Sequence, residues 1–297
     1  MSEAPGGSAL KRVLVATDLS SRAEIALGRA LQIASEQGAA LTLFHVTDAD
    51  AGDDMAARQL TAGTEKTLRQ QIDKLLPGKA AGSVRVAPGK PFVEIIRGAR
   101  DEGAELVVLG AHGEHFLKDL LLGTTAERVV RKGDRPVLVV KRAAHGPYRR
   151  ILAAVDFSEN SRHALELALR VAPRAQFHVL HVYQGFEAQL RRAGIPPSEI
   201  VRQLRPLVEE ARHDMGAFFG SIDHGGRSIR QVLWDGRAHH EIITVAKHLR
   251  AELVAVGTTG RTGLPYILLG SVAEHVLREV PCDVLVARAK PIRFELP

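Results

Sequence analysis

Apolar positions along the chain follow two alternating rhythms. Short apolar runs (RVLVAT, ALTLFHV, SVRVAP, ELVVLG, VLVVK) are separated by longer stretches in which apolar residues return at helical spacing. From Ala23 to Gln37 the rhythm is carried by Ile25, Ala26, Leu31 and Ile33, and from Met55 to Leu76 by Leu60, Leu68, Ile72 and Leu75. Pro91 stands where the first turn of a helix tolerates it, ahead of FVEIIRGARDEG. The second half repeats the order: ILAAV, a helix from Arg162, FHVLHV, a helix from about Ser198, SIRQVL, a helix from Arg237, ELVAVG, a further helix and DVLVA. Strands alternating with helices imply right-handed βαβ crossovers and a parallel sheet covered on both faces. The pattern therefore predicts an α/β chain made of one unit used twice.

Landmarks support the duplication. Asp18-Leu-Ser20 pairs with Asp156-Phe-Ser158, His45-Val46 with His181-Val182, and Gly89-Lys-x3-Glu-Ile-Ile with Gly236-Arg-x3-Glu-Ile-Ile. The pattern G-x2-G-x9-G-[ST] occurs as Gly110, Gly113, Gly123, Thr124 and again, 147 residues later, as Gly257, Gly260, Gly270, Ser271. Each copy joins a strand-like run to a helix-like one. Small residues let a backbone approach an anion, and a helix N-terminus offers N–H donors and a positive dipole end, so the loop suits a phosphate. The bland alternative is a tight connection with no ligand, and a spacing kept twice weighs against it. The second half carries extra residues, placed most simply in QGFEAQLRRAGIPP. RAAHGPY, around His145, is the natural linker, dividing the chain into domains 1–145 and 146–297.

Length and composition fit this division, since 297 residues suffice for two domains of roughly 150. Aromatic residues are only 4% of the chain, so the core must be aliphatic, and stacking platforms for single-stranded nucleic acid are disfavoured. No apolar run reaches the roughly 18 residues of a membrane span. MSEAPGGSA lacks the pattern of a secretory signal and is read as a short tail. Cys282 is the only cysteine, which excludes an intrachain disulfide and fits a cytoplasmic setting. The net charge of +6 comes from scattered basic residues and reads first as a solvated surface, with attraction for polyanions such as nucleotides as the sharper reading.

Other candidate chemistry is weaker. Asp18 and Asp156 end the first strand of each copy, where an aspartate serves an Asx turn or a helix cap; if strands one and four are neighbours, it also faces the glycine loop. His112, His115, His239 and His240 could bind metal, but neither pair is duplicated or joined by a carboxylate at ligand spacing, so exposed or loop-packing histidines are expected. Cys282 reads as a buried thiol. Signatures of P-loop NTPases, dinucleotide oxidoreductases and nucleophile-elbow hydrolases are missing.

Strand-ending Asp-x-Ser, the His-Val after the second strand, G-x2-G-x9-G-[ST] and the closing VLVV strand together resemble the universal stress protein family, in its ATP-binding branch and in two tandem copies. The resemblance implies two five-stranded parallel sheets in Rossmann-like order 3-2-1-4-5, whose final strands pair to make a pseudo-dimer within one chain, alone or as a homodimer. It also implies ATP, with Mg²⁺ as counter-ion, held by Asp18, Val46, Gly110, Gly113, Gly123, Thr124 and Thr125, and by Asp156, Val182, Gly257, Gly260, Gly270, Ser271 and Val272. Val46 and Val182 would pack on adenine, and the loops would hold the phosphates. One departure is Asp283, at the position of Pro136 in the first copy, where the family has proline; it puts the edge pairing of the last strand in question.

The function expected from these residues is an ATP-binding stress-response protein whose two sites report adenylate state to a protein partner by population shift, with little turnover. Its rivals are a slow ATPase or nucleotidyl-transfer enzyme, which the lack of a base beside the cradle disfavours, and a ligand-free dimerising scaffold. The first loop carries Glu114, Lys118 and Asp119, the second only Arg261, which predicts tighter binding at the second site by a factor of roughly five.

Overall fold

The computed structural model describes residues 8–47, 62–70, 72, 82–111, 122–227, 229–260 and 269–289. They form two compact units, Ser8–Pro147 and Tyr148–Ala289. In the first, β1 (Arg12–Thr17), β2 (Ala40–Thr47), β3 (Ser83–Pro88), β4 (Leu106–Gly110) and β5 (Val137–Val140) alternate with α1 (Ser21–Gln37), α2 (residues 62–70), α3 (Pro91–Asp101) and α4 (Thr124–Lys132). The second contains β6 (Arg150–Ala154), α5 (Glu159–Val171), β7 (Gln176–Tyr183), α6 (Glu187–Arg192), α7 (Pro197–Gly220), β8 (Ile229–Asp235), α8 (Ala238–His248), β9 (Leu253–Gly257), α9 (Ser271–Glu279) and β10 (Asp283–Ala287).

Every strand pair within a unit is parallel. The order is β3-β2-β1-β4-β5 in the first unit and β8-β7-β6-β9-β10 in the second, the expected 3-2-1-4-5 in both. Central strands are apolar throughout because helices cover both faces: Leu14, Val15, Leu106, Val108, Ile151, Leu152, Leu253 and Val254 are fully buried. The pairings that matter for a site are Val13 with Leu106 and Ile151 with Leu253. They set β1 beside β4 and β6 beside β9, so the aspartate turn and the glycine loop of each unit leave the same end of neighbouring strands. That is where the winding reverses and ligands of such sheets sit.

The starts of α1 and α5 lie slightly ahead of the positions read from periodicity. Ser20 accepts a hydrogen bond from Ala23 N at 3.1 Å and starts α1 at Ser21; Ser158 accepts from Ser161 N at 3.2 Å and starts α5 at Glu159 rather than at Arg162. A side-chain cap fixes the start of a helix before any apolar period can show it. Of the helix read from Met55 to Leu76, residues 62–70 are helical, and much of the rest lies outside the described residues. The extra segment of the second half contributes α6 and leads into α7.

Gly89 and Gly236, the duplicated glycines before α3 and α8, have φ of +140° and +149°. A Cβ there would stand 2.9 and 2.7 Å from Cγ of Glu94 and Glu241, the glutamates of the same repeated motif. That motif therefore has a structural cause, a left-handed turn that only glycine adopts easily under a folded-back glutamate.

Asp283 is accommodated inside the second unit. β10 pairs with β9 from Asp283 onward, and Asp283 N donates to Glu252 O at 3.3 Å, a bond that a proline could not make. Its side chain is 1% exposed, and Oδ2 accepts the buried Tyr148 hydroxyl at 2.6 Å. Asp283→Ala should lower the stability of this unit by about 2 kcal/mol, because it removes a buried carboxylate that accepts the buried tyrosine hydroxyl. Urea unfolding checks this, and adding Tyr148→Phe should recover part of the loss.

Candidate functional site

At the carboxyl end of β6, Asp156 Oδ1 accepts Ser158 N at 3.1 Å and Ser158 Oγ at 2.6 Å. Asp18 Oδ1 accepts Ser20 N and Oγ at the same two distances. The residue between them is left-handed in both copies, Leu19 at φ +67° and Phe157 at φ +64°. The aspartate thus closes an Asx turn whose serine caps the next helix, so its turn-forming role is realised. That role engages Oδ1. A Cβ on Gly260 would lie 2.7 Å from Asp156 Oδ2, which places this oxygen against the glycine loop. The duplicated histidines brace the same corner: His45 Nδ1 donates to Thr17 O at 2.8 Å, and His181 Nδ1 to Val155 O at 2.9 Å. Phe157 stacks on His181 with ring centroids 4.2 Å apart.

A cavity of about 260 Å³ opens here in the second unit. Leu180, Val182, Ala238, Ile242 and Val256 give it an apolar wall, and Asp156, Ser161, Thr258 and Thr259 a polar one. Gly257, Gly260, Gly270, Ser271 and Val272 close it. All seven second-copy residues singled out in the sequence therefore line one cavity. Gly270 is the N-cap of α9 and supplies no side-chain cap, so the first-turn N–H groups have no intrahelical acceptor and meet the cavity at Ser271 and Val272.

The glycines of this loop serve different needs. A Cβ on Gly257 would sit 2.9 Å from Asn160 C, Asn160 Cβ and Ser161 N, so Gly257 lets the end of β9 pack on the first turn of α5. On Gly270 it would meet Thr258 O at 3.2 Å, whereas on Gly260 it meets, among the described residues, only the end of the Asp156 side chain. None of the three is left-handed; each needs space rather than an unusual φ.

In the first unit, Asp18 follows β1, Val46 is the penultimate residue of β2, and Gly110 ends β4. Gly123 N donates to Ala111 O at 2.7 Å, as Gly270 N does to Thr258 O. Gly123 is the N-cap of α4 without a side-chain cap, and Thr124 and Thr125 open that helix. Gly113 lies outside the described residues, as do His112, His115, Glu114, Lys118, Asp119 and Arg261, so the loop-charge comparison does too.

Sequence reasoning passed over Asn160, Ser161, Thr258 and Thr259. Asn160 and the two threonines have no counterpart in the first copy, where Arg22, Ala111 and His112 stand, so duplication gave no signal for them. His240 is exposed with Nδ1 2.9 Å from Glu241 Oε1, and His239 lies against His275 with ring centroids 4.7 Å apart. Among the described residues, no group of three or more His, Cys, Asp or Glu side chains could hold a metal ion, and no helix is long and apolar enough to cross a membrane. Cys282 is buried.

A doubly wound parallel sheet, used twice, with a glycine loop and an aspartate turn at each switch point, defines a class of tandem α/β proteins with a ligand crevice. Residues 9–141 and 147–288 each match the universal stress protein family, and the chain belongs to that family. A universal stress protein of Mycobacterium tuberculosis is 27% identical over 300 residues, spanning 93% of this chain and 96% of its own. One from Methanocaldococcus jannaschii is 31% identical over 144 residues, 48% of this chain and 82% of its own. The crystal structure of an Archaeoglobus fulgidus universal stress protein superposes with a TM-score of 0.65 at 22% identity, covering 94% of this chain and 98% of that one, a likeness of fold.

Proposed function

We propose that this tandem universal stress protein binds adenine nucleotide, one molecule in each unit, and acts by binding rather than by fast turnover. The observation that carries the reading is the cavity of the second unit, with an apolar wall facing uncapped helix N–H groups across a glycine loop. Its volume of about 260 Å³ lies close to the lower end for small-molecule pockets, in keeping with an enclosed nucleoside and phosphates laid along the loop. In this reading Val182, Ala238 and Ile242 flank the base, Asp156 meets the ribose hydroxyls, and the N–H groups of Ser271 and Val272 with the Ser271 hydroxyl receive phosphate oxygens. Mg²⁺ would enter as the counter-ion of ATP. Asp18, Val46, Gly110, Gly113, Gly123, Thr124 and Thr125 take the same parts in the first unit. Ordering of the loops on binding would then bias a surface that a partner reads.

Chromatography and mass analysis of small molecules released from freshly purified, denatured chain test this reading. Up to two adenine nucleotides per chain are expected. A chain that releases none, and that millimolar ATP with Mg²⁺ does not stabilise thermally, contradicts it.

A further inference from the structure

A side chain from α5 ties down the loop segment that lines the cavity of the second unit. Asn160, in the first turn of α5, donates from Nδ2 to Thr259 O at 3.1 Å and to Thr259 Oγ1 at 2.8 Å. Its Oδ1 accepts Ala289 N at 3.0 Å, just past the end of β10. The asparagine amide thus uses both of its functions, with the donor on the loop and the acceptor on the chain leaving the sheet. Neighbouring bonds complete the tie: Thr258 N donates to Ala287 O at 3.0 Å, and Arg288 Nε to Thr258 Oγ1 at 3.4 Å. Thr258 and Thr259 stand between Gly257 and Gly260 and line the cavity with them. Asn160 is not among the cavity-lining residues, so it acts on a ligand through the loop.

We infer that Asn160 is a positioning residue, which holds the Gly257–Gly260 segment of the second unit in the shape that receives phosphate. This rests on the nucleotide reading above. A loop already held in its bound shape does not lose that conformational freedom on binding, which raises affinity without a new contact. The first unit has Arg22 at this position. A guanidinium has no acceptor, so it cannot take the N–H that Asn160 Oδ1 takes. Preorganisation by Asn160 is therefore special to the second unit.

The test is hydrogen–deuterium exchange of the full chain titrated separately with ATP and with adenosine, read on peptides covering residues 177–183 and 253–260. Those peptides belong to the second unit and report its site alone. Asn160→Ala should weaken ATP at this site about tenfold and leave adenosine within about twofold, since adenosine has no phosphates for the loop to hold. Asn160→Asp keeps the size and the acceptor for Ala289 N but replaces the donor to Thr259 with a carboxylate, and should weaken ATP at least as much. A merely structural role would lower the melting temperature and weaken both ligands together. Equal losses for ATP and adenosine, or unchanged ATP affinity in both variants, would overturn the inference. Absence of protection by either ligand in the unmodified chain would instead remove the nucleotide reading on which it rests.

Discussion

Gly260→Val should weaken ATP at the second site by about a hundredfold or more, on the order of 3 kcal/mol. The unliganded chain should melt close to its usual temperature. The new Cβ would lie 2.7 Å from Asp156 Oδ2, and its methyl groups extend the obstruction inside the cavity that Asp156 and Gly260 both line. They would take the space in which the ribose and the first phosphate meet the loop. Among the described residues other than its chain neighbours, that Cβ meets only Oδ2 and Cγ of Asp156, the movable end of a side chain, so the fold is expected to tolerate the change. Isothermal titration of the variant, together with its circular dichroism and melting curve, reads both halves of the expectation. Unchanged affinity in a folded variant would mean that the cradle has been wrongly assigned.

Gly257→Ala should behave in the opposite way. Its Cβ would meet Asn160 C, Asn160 Cβ and Ser161 N, all at 2.9 Å, and these atoms belong to the first turn of α5, which cannot swing aside as a side-chain end can. Overpacking of this kind costs about 1–3 kcal/mol, and contact with backbone on two residues puts this site at about 3. Chemical unfolding should show the loss with or without nucleotide. A variant as stable as the original chain would mean that β9 and α5 are not packed so closely. The pair of substitutions separates two glycines that look equivalent in sequence: one serves the packing of strand on helix, the other the openness of the cavity.

That distinction marks where the sequence stops being informative. The alternation of strands and helices was legible from periodicity and from the repeat, the strand order only through the family resemblance, and both units realise that order. Of the seven second-copy residues that share a cavity, Asp156, Val182, Gly257, Gly260, Gly270 and Ser271 were marked by landmarks repeated in both copies, and Val272 only by the family resemblance. Not everything duplicated proved to be about a ligand. Gly89 and Gly236 exist for a left-handed turn under a glutamate, and Asp18 and Asp156 give one carboxylate oxygen to an Asx turn. The left-handed Leu19 and Phe157 were invisible, since neither residue type favours positive φ and only the surrounding turn imposes it. Asn160 was invisible for a different reason. It bridges residues 99 and 129 positions away, and such pairings leave no local pattern. Asp283 looked like a defect of the last strand, yet its N–H and carboxylate are both used, one on Glu252 O and the other on Tyr148.

The central claim, that the crevice of the second unit is an adenine-nucleotide site, is met most directly by calorimetric titration of the purified chain, first stripped of nucleotide, with ATP in the presence of Mg²⁺. Saturable heat with up to two sites per chain is expected, one class of which disappears in Gly260→Val. No heat and no thermal stabilisation at millimolar ATP would contradict it.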